Sequence, residues 1–240
     1  MTALEENLEK LEDSIAAACR AAGRARSEVE LMAVSKTKPA SALVEAAALG
    51  LMLFGENRVQ EFAAKSLGIG PQRSSMKCHL IGHLQSNKAA RAAEIFDAVD
   101  SLDSVRLAER LDEAAGKCGK RLPVLIEVKL SHEETKAGLL PESDEAAHLL
   151  EHLPDLAHLE ARGLMTIAPW GAPDDVTRAC FRSLRTLRDR WARAHPRLGL
   201  DVLSMGMSGD FALAIAEGAT RIRVGTALFG RRSPQTADSQ

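Results

Sequence analysis

Short apolar runs alternate with amphipathic segments along most of the chain. Leu4, Leu8, Leu11 and Ile15 recur at helical spacing and predict a first amphipathic helix that ends at Gly23. Eight apolar runs then predict strands at residues 31–35, 51–55, 77–82, 98–102, 123–130, 159–167, 201–206 and 221–225. The first seven strands are each followed by a helical pattern, at residues 41–49, 56–66, 86–96, 104–118, 143–153, 174–194 and 209–219.

This alternation indicates βα units around a parallel sheet. Eight such units in 240 residues fit a TIM-type (β/α)8 barrel, whose usual length is about 250 residues. A doubly wound open sheet stays an alternative, because short strands are easily miscounted. We expect one domain over residues 1–230, with an extra N-terminal helix, followed by a frayed polar tail at residues 231–240.

Composition narrows the class of protein. Lys and Arg number 31 against 33 for Asp and Glu, so the formal net charge is −2. That balance disfavours binding to nucleic acid or to anionic membranes, both of which usually need a basic surplus. The four cysteines are scattered, and no apolar stretch approaches the roughly 18 residues of a spanning helix. We expect a cytoplasmic protein with reduced thiols.

Candidate chemistry lies where predicted strands end, because barrels of this kind bind ligands on the loops that follow their strands. Lys36 comes directly after the first predicted strand. A lysine in an apolar mouth loses hydration, so its pKa falls and its amine becomes available for a Schiff base. An ordinary solvated surface lysine is the alternative.

The loops after the last two predicted strands are candidates for phosphate binding. SMGMSGD (residues 204–210) leads into a helix with Ser208 as its predicted N-cap, and VGT (residues 224–226) leaves the eighth strand. Helix N-termini bind phosphate, and these two loops form the recurrent phosphate site of TIM barrels. Alternatively, the glycines only permit tight turns and Ser208 only caps its helix.

Two arginines alternate with apolar residues in the last strand. Because strand side chains point alternately inward and outward, we expect one of Arg221 and Arg223 inside the barrel and the other among the outer helices. An interior arginine would act on the ligand or pair with a buried carboxylate. The spacing alone does not choose between these roles.

Five segments together carry a family resemblance that runs in order over residues 34–230: AVSKTKP, FGENRVQE, HLIGHLQSNK, GLMTIAP and LSMGMSGDFALAIAEGATRIRVGTALFG. In these segments the chain resembles the pyridoxal-phosphate homeostasis proteins, single-domain barrels similar to the N-terminal domain of alanine racemase. The resemblance implies that Lys36 holds pyridoxal 5′-phosphate (PLP) as a Schiff base. It places Asn57 beside the cofactor ring and Arg223 at the ring nitrogen, and Lys136 matches a lysine near the pocket mouth.

The same resemblance implies that Ser208, Gly225 and Thr226 hold the phosphate. Gly209 departs from the pattern, because the family usually has Asp or Asn there. A side-chain contact is lost at Gly209, but the backbone N–H remains. The ending FGRRSP also replaces the family's usual FGxRxY, so a proline stands where the family has its terminal aromatic residue.

The resemblance favours a cofactor-holding protein over an enzyme. PLP stabilises carbanions best when its ring nitrogen is protonated, and a permanently charged Arg223 disfavours that state. Alanine racemase takes a second catalytic base, a tyrosine, from another domain, whereas this chain contains no tyrosine and no such domain. We therefore expect intracellular buffering or delivery of PLP, with apo PLP-dependent enzymes as partners. A monomer is expected, because the racemase-type dimer depends on that second domain.

Three alternatives remain at this stage. A PLP-dependent enzyme acting on amino acids, like a racemase, would need substrate contacts and a second proton donor. A class I aldolase-like barrel would use Lys36 on a sugar phosphate, although such a lysine is expected on a later strand. His79 and His83 have HxxxH spacing, but they straddle a strand end and a turn, which disfavours a metal site.

Overall fold

The computed structural model describes residues 1–131 and 137–230, in which eight parallel strands close into a barrel in chain order. The strands are β1 (Glu30–Val34), β2 (Leu53–Glu56), β3 (Lys77–Leu80), β4 (Ala98–Leu102), β5 (Leu122–Glu127), β6 (Leu159–Met165), β7 (Val202–Ser204) and β8 (Arg221–Val224). β8 pairs with β1 from Glu30 opposite Arg221 to Ala33 opposite Val224. This closure confirms the TIM-type barrel and excludes the doubly wound open sheet.

Helices surround this barrel. In the described part of the chain they are α1 (Ala3–Ala21), α2 (Ala40–Ala48), α3 (Val59–Ile69), α4 (Ala89–Ile95), α5 (Val105–Lys117), α6 (Asp144–His152), α7 (Asp174–Ala194), α8 (Phe211–Ala216) and α9 (Thr226–Phe229). Short 3-10 turns lie at Arg26–Glu28, Gly70–Ser75, Ser86–Lys88 and Leu153–Asp155. The predicted bounds of α7 are those observed, whereas α8 is shorter than its pattern indicated.

Several strands end earlier than the apolar runs that predicted them. β5 stops at Glu127, although the run continues to Leu130. Near this end the backbone bonds to the loop that follows β5. The Lys129 N–H donates to the Leu139 carbonyl at 2.9 Å. Strands therefore leave the sheet at the carboxyl-terminal mouth, where the loops can surround a ligand.

The core consists of apolar side chains from the strands and the inner faces of the helices. Small residues let helices approach the barrel closely, and Ala46, Ala92 and Ala115 are fully buried. Phe62 of α3 stacks on Phe96 behind α4, with ring centroids 4.7 Å apart. These contacts hold α3 and α4 against the strands whose ends form the mouth.

The extra N-terminal helix packs against α8 and α9. α1 buries Leu4, Leu11 and Ile15, three of the four positions that the helical spacing had selected, and Leu8 is partly buried. Asn7 Nδ2 donates to the Leu228 carbonyl of α9 at 3.0 Å. In the part of the chain that the structure describes, no helix is both long and apolar enough to cross a membrane.

Candidate functional site

Lys36 lies in a tight turn at the mouth, just beyond β1. The Lys38 N–H closes this turn on the Ser35 carbonyl at 3.0 Å. Thr37 has a φ of 64°, the one positive value among the described residues other than glycine. A β-branched residue is strained in the left-handed region, so the turn needs outside support. Glu61 of α3 provides this support, because its Oε1 accepts a hydrogen bond from the Thr37 N–H at 2.6 Å.

A buried cation and carboxylate hold the other side of the turn. Lys65 Nζ donates to Glu56 Oε1 at 2.6 Å and to the Ser35 carbonyl at 2.8 Å. Ser35 Oγ donates to the same Glu56 oxygen at 2.7 Å. Burial raises the pKa of Glu56, and its bonds to Lys65 and Ser35 oppose that shift. Both neighbours of Lys36 are thus tied to β2 and α3.

The two lysines of this turn have different surroundings. Lys38 Nζ donates to the Phe229 carbonyl at 2.8 Å and to the Gly230 carbonyl at 3.4 Å. A cation at the carboxyl end of a helix satisfies carbonyls that lack partners within the helix. Lys38 therefore anchors α9, whereas Lys36 is exposed at the mouth.

The loops after β7 and β8 meet, as the sequence predicted. Ser208 Oγ accepts a hydrogen bond from the Ala227 N–H at 3.4 Å, across 19 residues of chain. Gly225 precedes the first turn of α9, and Thr226 is the first, exposed residue of that helix. A hydroxyl and the amino end of a helical turn are therefore side by side at the mouth, a combination that suits an anion.

The predicted N-cap role of Ser208 is wrong. α8 begins at Phe211, so Asp210 occupies the N-cap position. The Asp210 carboxylate accepts from the Met207 N–H, which closes a compact turn before the helix. Ser208 lies inside that turn, and its hydroxyl consequently points to α9.

Two glycines of the β7–α8 loop differ in what they require. Gly206 has a φ of 94°, and a Cβ there would lie 2.6 Å from the Cβ of Ala214, so this position needs glycine. At Gly209, no heavy atom of the described residues lies within 4 Å of a Cβ built on the backbone. The Asp or Asn that the family usually has would fit there, and Gly209 leaves that side of the loop open.

Arg223 is buried inside the barrel below the mouth. Its guanidinium donates to the Ser204 carbonyl at 2.7 Å, to Ser204 Oγ at 2.9 Å and to the Thr166 carbonyl at 2.8 Å. Burial lowers the pKa of Arg223, and the carboxylates of Asp100, Glu127 and Asp210 oppose that shift. Arginine stays charged under such conditions, so a fixed positive charge lies beneath the mouth.

Arg221 also points into the barrel, and the prediction that one of the two arginines lies outside is wrong. Residues two apart on a strand share a face, so both point inward. Arg221 Nη1 donates to Asp100 Oδ2 at 3.2 Å, and its Nε donates to Glu30 Oε2 at 2.7 Å. His79 Nδ1 lies 3.0 Å from Asp100 Oδ1. We call Glu30, His79, Asp100 and Arg221 the lower ionic layer. Glu30 and Arg221 begin their strands, so this layer lies toward the end of the barrel opposite the mouth.

Asn57 comes one residue after β2 and is half-buried. Its backbone packs against the β3–α4 loop, where a Cβ on Gly82 would lie 2.3 Å from the Asn57 carbonyl oxygen. Glycine at position 82 therefore lets the two loops touch. Asn57 is held at the mouth on the strand next to that of Lys36.

Glu127 is a mouth residue that the sequence reasoning missed. It ends β5 and is only 6% exposed, and its Oε2 has no hydrogen-bond partner among the described residues. Burial, reinforced by Asp103, raises the pKa of Glu127 to about 7 despite the nearby Arg223. The available signal was one acid in the otherwise apolar run PVLIEV, since parallel strands are buried on both faces.

Two other expectations concern the histidines and the parts of the chain not described. His83 Nδ1 lies 3.1 Å from Asp103 Oδ2, so His79 and His83 approach different carboxylates. Within the described ranges, no three His, Cys, Asp or Glu side chains are grouped so that they could hold a metal ion. Lys136 and the tail at residues 231–240 lie outside the described residues.

Comparison with known proteins places this barrel in a family. The family pattern described as alanine racemase, N-terminal domain, matches residues 6–233. A relative in Haemophilus influenzae, named pyridoxal phosphate homeostasis protein, is 39% identical over 240 residues and covers 99% of each chain. A protein of the same name in Pseudomonas aeruginosa is 43% identical over 232 residues, 97% of each chain.

Solved structures agree with this assignment. PipY of Synechococcus elongatus, solved with PLP bound, is 44% identical with a TM-score of 0.82 and covers 95% of this chain and 100% of its own. D-threonine aldolase from Filomicrobium marinum has a TM-score of 0.72 at 18% identity, over 94% of this chain and 60% of its own, and shows the fold alone. The resemblance seen in the sequence is confirmed: this chain belongs to the pyridoxal phosphate homeostasis protein family.

Proposed function

We propose that this protein binds PLP as a Schiff base on Lys36 and takes part in intracellular PLP homeostasis, by buffering the cofactor or delivering it to apo-enzymes. The observation that carries the proposal is the pairing of an exposed lysine in a supported turn with an anion-suited loop pair at the same mouth. PLP needs these two features, an amine for its aldehyde and donors for its phosphate. The PLP-bound relative PipY supports the choice of cofactor.

The chain's own residues fit this ligand. Ser208, Gly225 and Thr226 would hold the phosphate, and Asn57 would lie beside the ring. Arg223 is fixed by three hydrogen bonds below the mouth, from which its charge would face the ring nitrogen. The Lys65–Glu56–Glu61 cluster would hold the Lys36 turn in place as the cofactor comes and goes.

Bound PLP supplies an electron sink for amino-acid chemistry, but Arg223 would weaken that sink because a permanent cation disfavours ring protonation. The relatives' names also describe homeostasis proteins. A cofactor-holding role in the cytoplasm, with no strong catalytic activity, is therefore proposed over that of a racemase-like enzyme. Turnover of amino acids in stoichiometric excess over protein would reverse that preference.

The test is a visible absorption titration of the protein with PLP, followed by borohydride reduction and peptide mapping. We expect a yellow band that reduction removes, with the phosphopyridoxyl group on Lys36. Lys36→Ala should fold normally, because its side chain is exposed, and should lose covalent attachment. Lys10→Ala, at an exposed position of α1, is the matched control and should bind like the unaltered protein.

Two results would contradict the proposal. A reducible adduct retained in Lys36→Ala would move the Schiff base to another lysine, such as Lys38 or Lys136. A protein that stays colourless with PLP would return the site to the sugar-phosphate alternative, in which Lys36 acts as in a class I aldolase.

A further inference from the structure

Glu127 is an unusual group to find at the mouth of this barrel. Its Oε2 is one of three buried side-chain polar atoms without a hydrogen-bond partner in the described part of the chain. The other two are Ser131 Oγ, a neutral hydroxyl, and Glu56 Oε2, which belongs to a carboxylate whose second oxygen binds Lys65 and Ser35. A buried carboxylate without a partner is costly, so an orphaned oxygen at a ligand mouth calls for a functional explanation.

The charges around Glu127 leave it poorly compensated. Asp103, at the end of β4, repels a charge on Glu127, while Arg223 of β8 attracts it. On β6, the strand paired with β5, the residue opposite is the neutral Met165. Lys129 follows two residues later, in the loop after β5, and is half-buried. Three N–H groups of Arg223 already donate to Ser204 and Thr166, so this guanidinium is held by other acceptors.

We infer that Glu127 takes up a proton when the cofactor enters, so that loading of this pocket is coupled to protonation. The inference rests on the proposed function, because it needs an anionic ligand at the mouth. PLP brings a phosphate and a ring phenolate, both negatively charged, into a space that already contains Glu127 and Asp103. Like charges in a desolvated site cannot all stay ionised, and the least compensated carboxylate is the one that protonates.

The proton comes from solvent and forms an O–H bond on the Glu127 carboxyl, with no other bond made or broken. A protonated carboxyl is a hydrogen-bond donor, whereas a carboxylate only accepts. The neutral group could then donate to an acceptor on the cofactor, which would give the orphaned oxygen a partner. The raised pKa of about 7 is consistent with this role, since the apo carboxyl is then partly ionised near neutral pH.

The test is isothermal titration of the apo-protein with PLP near pH 7 in PIPES and in imidazole, which differ in heat of ionisation and, unlike Tris, carry no primary amine to capture PLP. The difference in observed heat gives the protons taken up per cofactor bound. We expect the unaltered protein to take up about half a proton more than Glu127→Gln, which has the same shape and cannot ionise. Glu160→Gln, at a partly exposed position of β6, is the control and should match the unaltered protein.

The pH dependence gives a second, related readout. The ionisations of the cofactor itself are common to both proteins, so the ratio of their affinities isolates Glu127. As pH rises above the apo pKa, the affinity of the unaltered protein should fall relative to Glu127→Gln by about tenfold per pH unit. Equal proton uptake and a constant ratio of affinities would overturn the inference.

An infrared difference spectrum of the unaltered protein, loaded minus apo at pH 8, needs no variant. A new protonated-carboxyl band that is absent in Glu127→Gln supports the inference, and a spectrum without one contradicts it even if that variant fails to fold. Failure of the unaltered protein to bind PLP at all would instead remove the proposed function. The two failures are therefore distinguishable.

Discussion

Two layers of the barrel interior contain buried charges, and the buried carboxylates of the two layers differ in whether both of their oxygens have partners. In the lower ionic layer, the carboxylate of Asp100 has a partner on each oxygen, His79 at 3.0 Å and Arg221 at 3.2 Å. At the mouth, Glu127 is similarly buried but has an oxygen without a hydrogen-bond partner among the described residues. The contrast extends to β8, where Arg221 pairs with carboxylates while Arg223 donates to Ser204 and Thr166.

The difference separates a structural layer from a binding layer. Burial by itself would raise the pKa of Asp100, but His79 and Arg221 more than offset it, so this pKa is lowered. At Glu127 burial prevails and the pKa is raised. In TIM barrels the amino-terminal face serves stability and the carboxyl-terminal face serves function. The lower layer is satisfied without a ligand, whereas the mouth keeps groups whose partner would arrive with one.

The largest expected effect is on the lower layer. Asp100→Asn should destabilise the protein by about 3 kcal/mol, because it leaves the Arg221 and His79 partners facing a neutral amide in a buried site. PLP affinity should change little. Denaturant unfolding measures the loss, and adding Arg221→Met should restore part of it by removing a cation that has lost its buried carboxylate and keeps the exposed Glu30 as an acidic partner. A loss below about 1 kcal/mol would mean that this layer is not held by charge pairing.

The second prediction concerns the mouth, where removing the buried carboxylate should stabilise the protein instead of destabilising it. The pKa of Glu127 rises from 4.5 to about 7 on folding, so the folded state binds its proton more tightly than the unfolded state. The stability of the apo-protein should therefore fall as pH rises from 4.5 to 7 and then level off. Glu127→Gln should lack this term and be more stable than the unaltered protein by about 3 kcal/mol at pH 8. The two proteins should have nearly equal free energies of unfolding at pH 4.5. A difference in free energy of unfolding that stays constant from pH 4.5 to 8 would contradict the contrast with Asp100.

The smallest expected effect is that of Ser208→Ala at the mouth, which should lower PLP affinity more than it lowers the stability of the protein. Ser208→Ala removes one long hydrogen bond to Ala227, so it should cost less than about 0.5 kcal/mol of stability. If the hydroxyl also holds the phosphate, PLP affinity should fall by about three- to tenfold. The titration that tests Lys36 measures this change, and Ser66→Ala on α3 is the control. Unchanged affinity would remove Ser208 from the phosphate site.

Much of the fold and of the candidate site could be predicted because the signals are local. The βα rhythm predicted the eight units of the barrel, since each strand or helix pattern lies within one stretch of chain, and the pairing of β8 with β1 then excluded the open sheet. Lys36 was located because the end of a strand is visible in the sequence. The paired loops around Ser208 and Thr226 were located because this fold places the ends of neighbouring strands together.

What could not be predicted depends on side chains distant in sequence. The N-cap assignment of Ser208 failed because Asp210 competes for the turn and the Ala227 N–H lies nearby. Glu56 and Lys65 were overlooked because their contact with Ser35, which supports the Lys36 turn, crosses from one βα unit to another.

The sequence by itself determined the barrel, its family and the lysine at its mouth, because hydrophobic periodicity and short motifs are properties of contiguous residues. Only the tertiary structure decided which buried charges have partners. Arg221 reaches Asp100 across 121 residues of chain, whereas Glu127 has an oxygen without a hydrogen-bond partner in the described part of the chain. The pKa of a buried group depends on the distances that closure of the barrel sets, and the order of residues along the chain does not contain those distances.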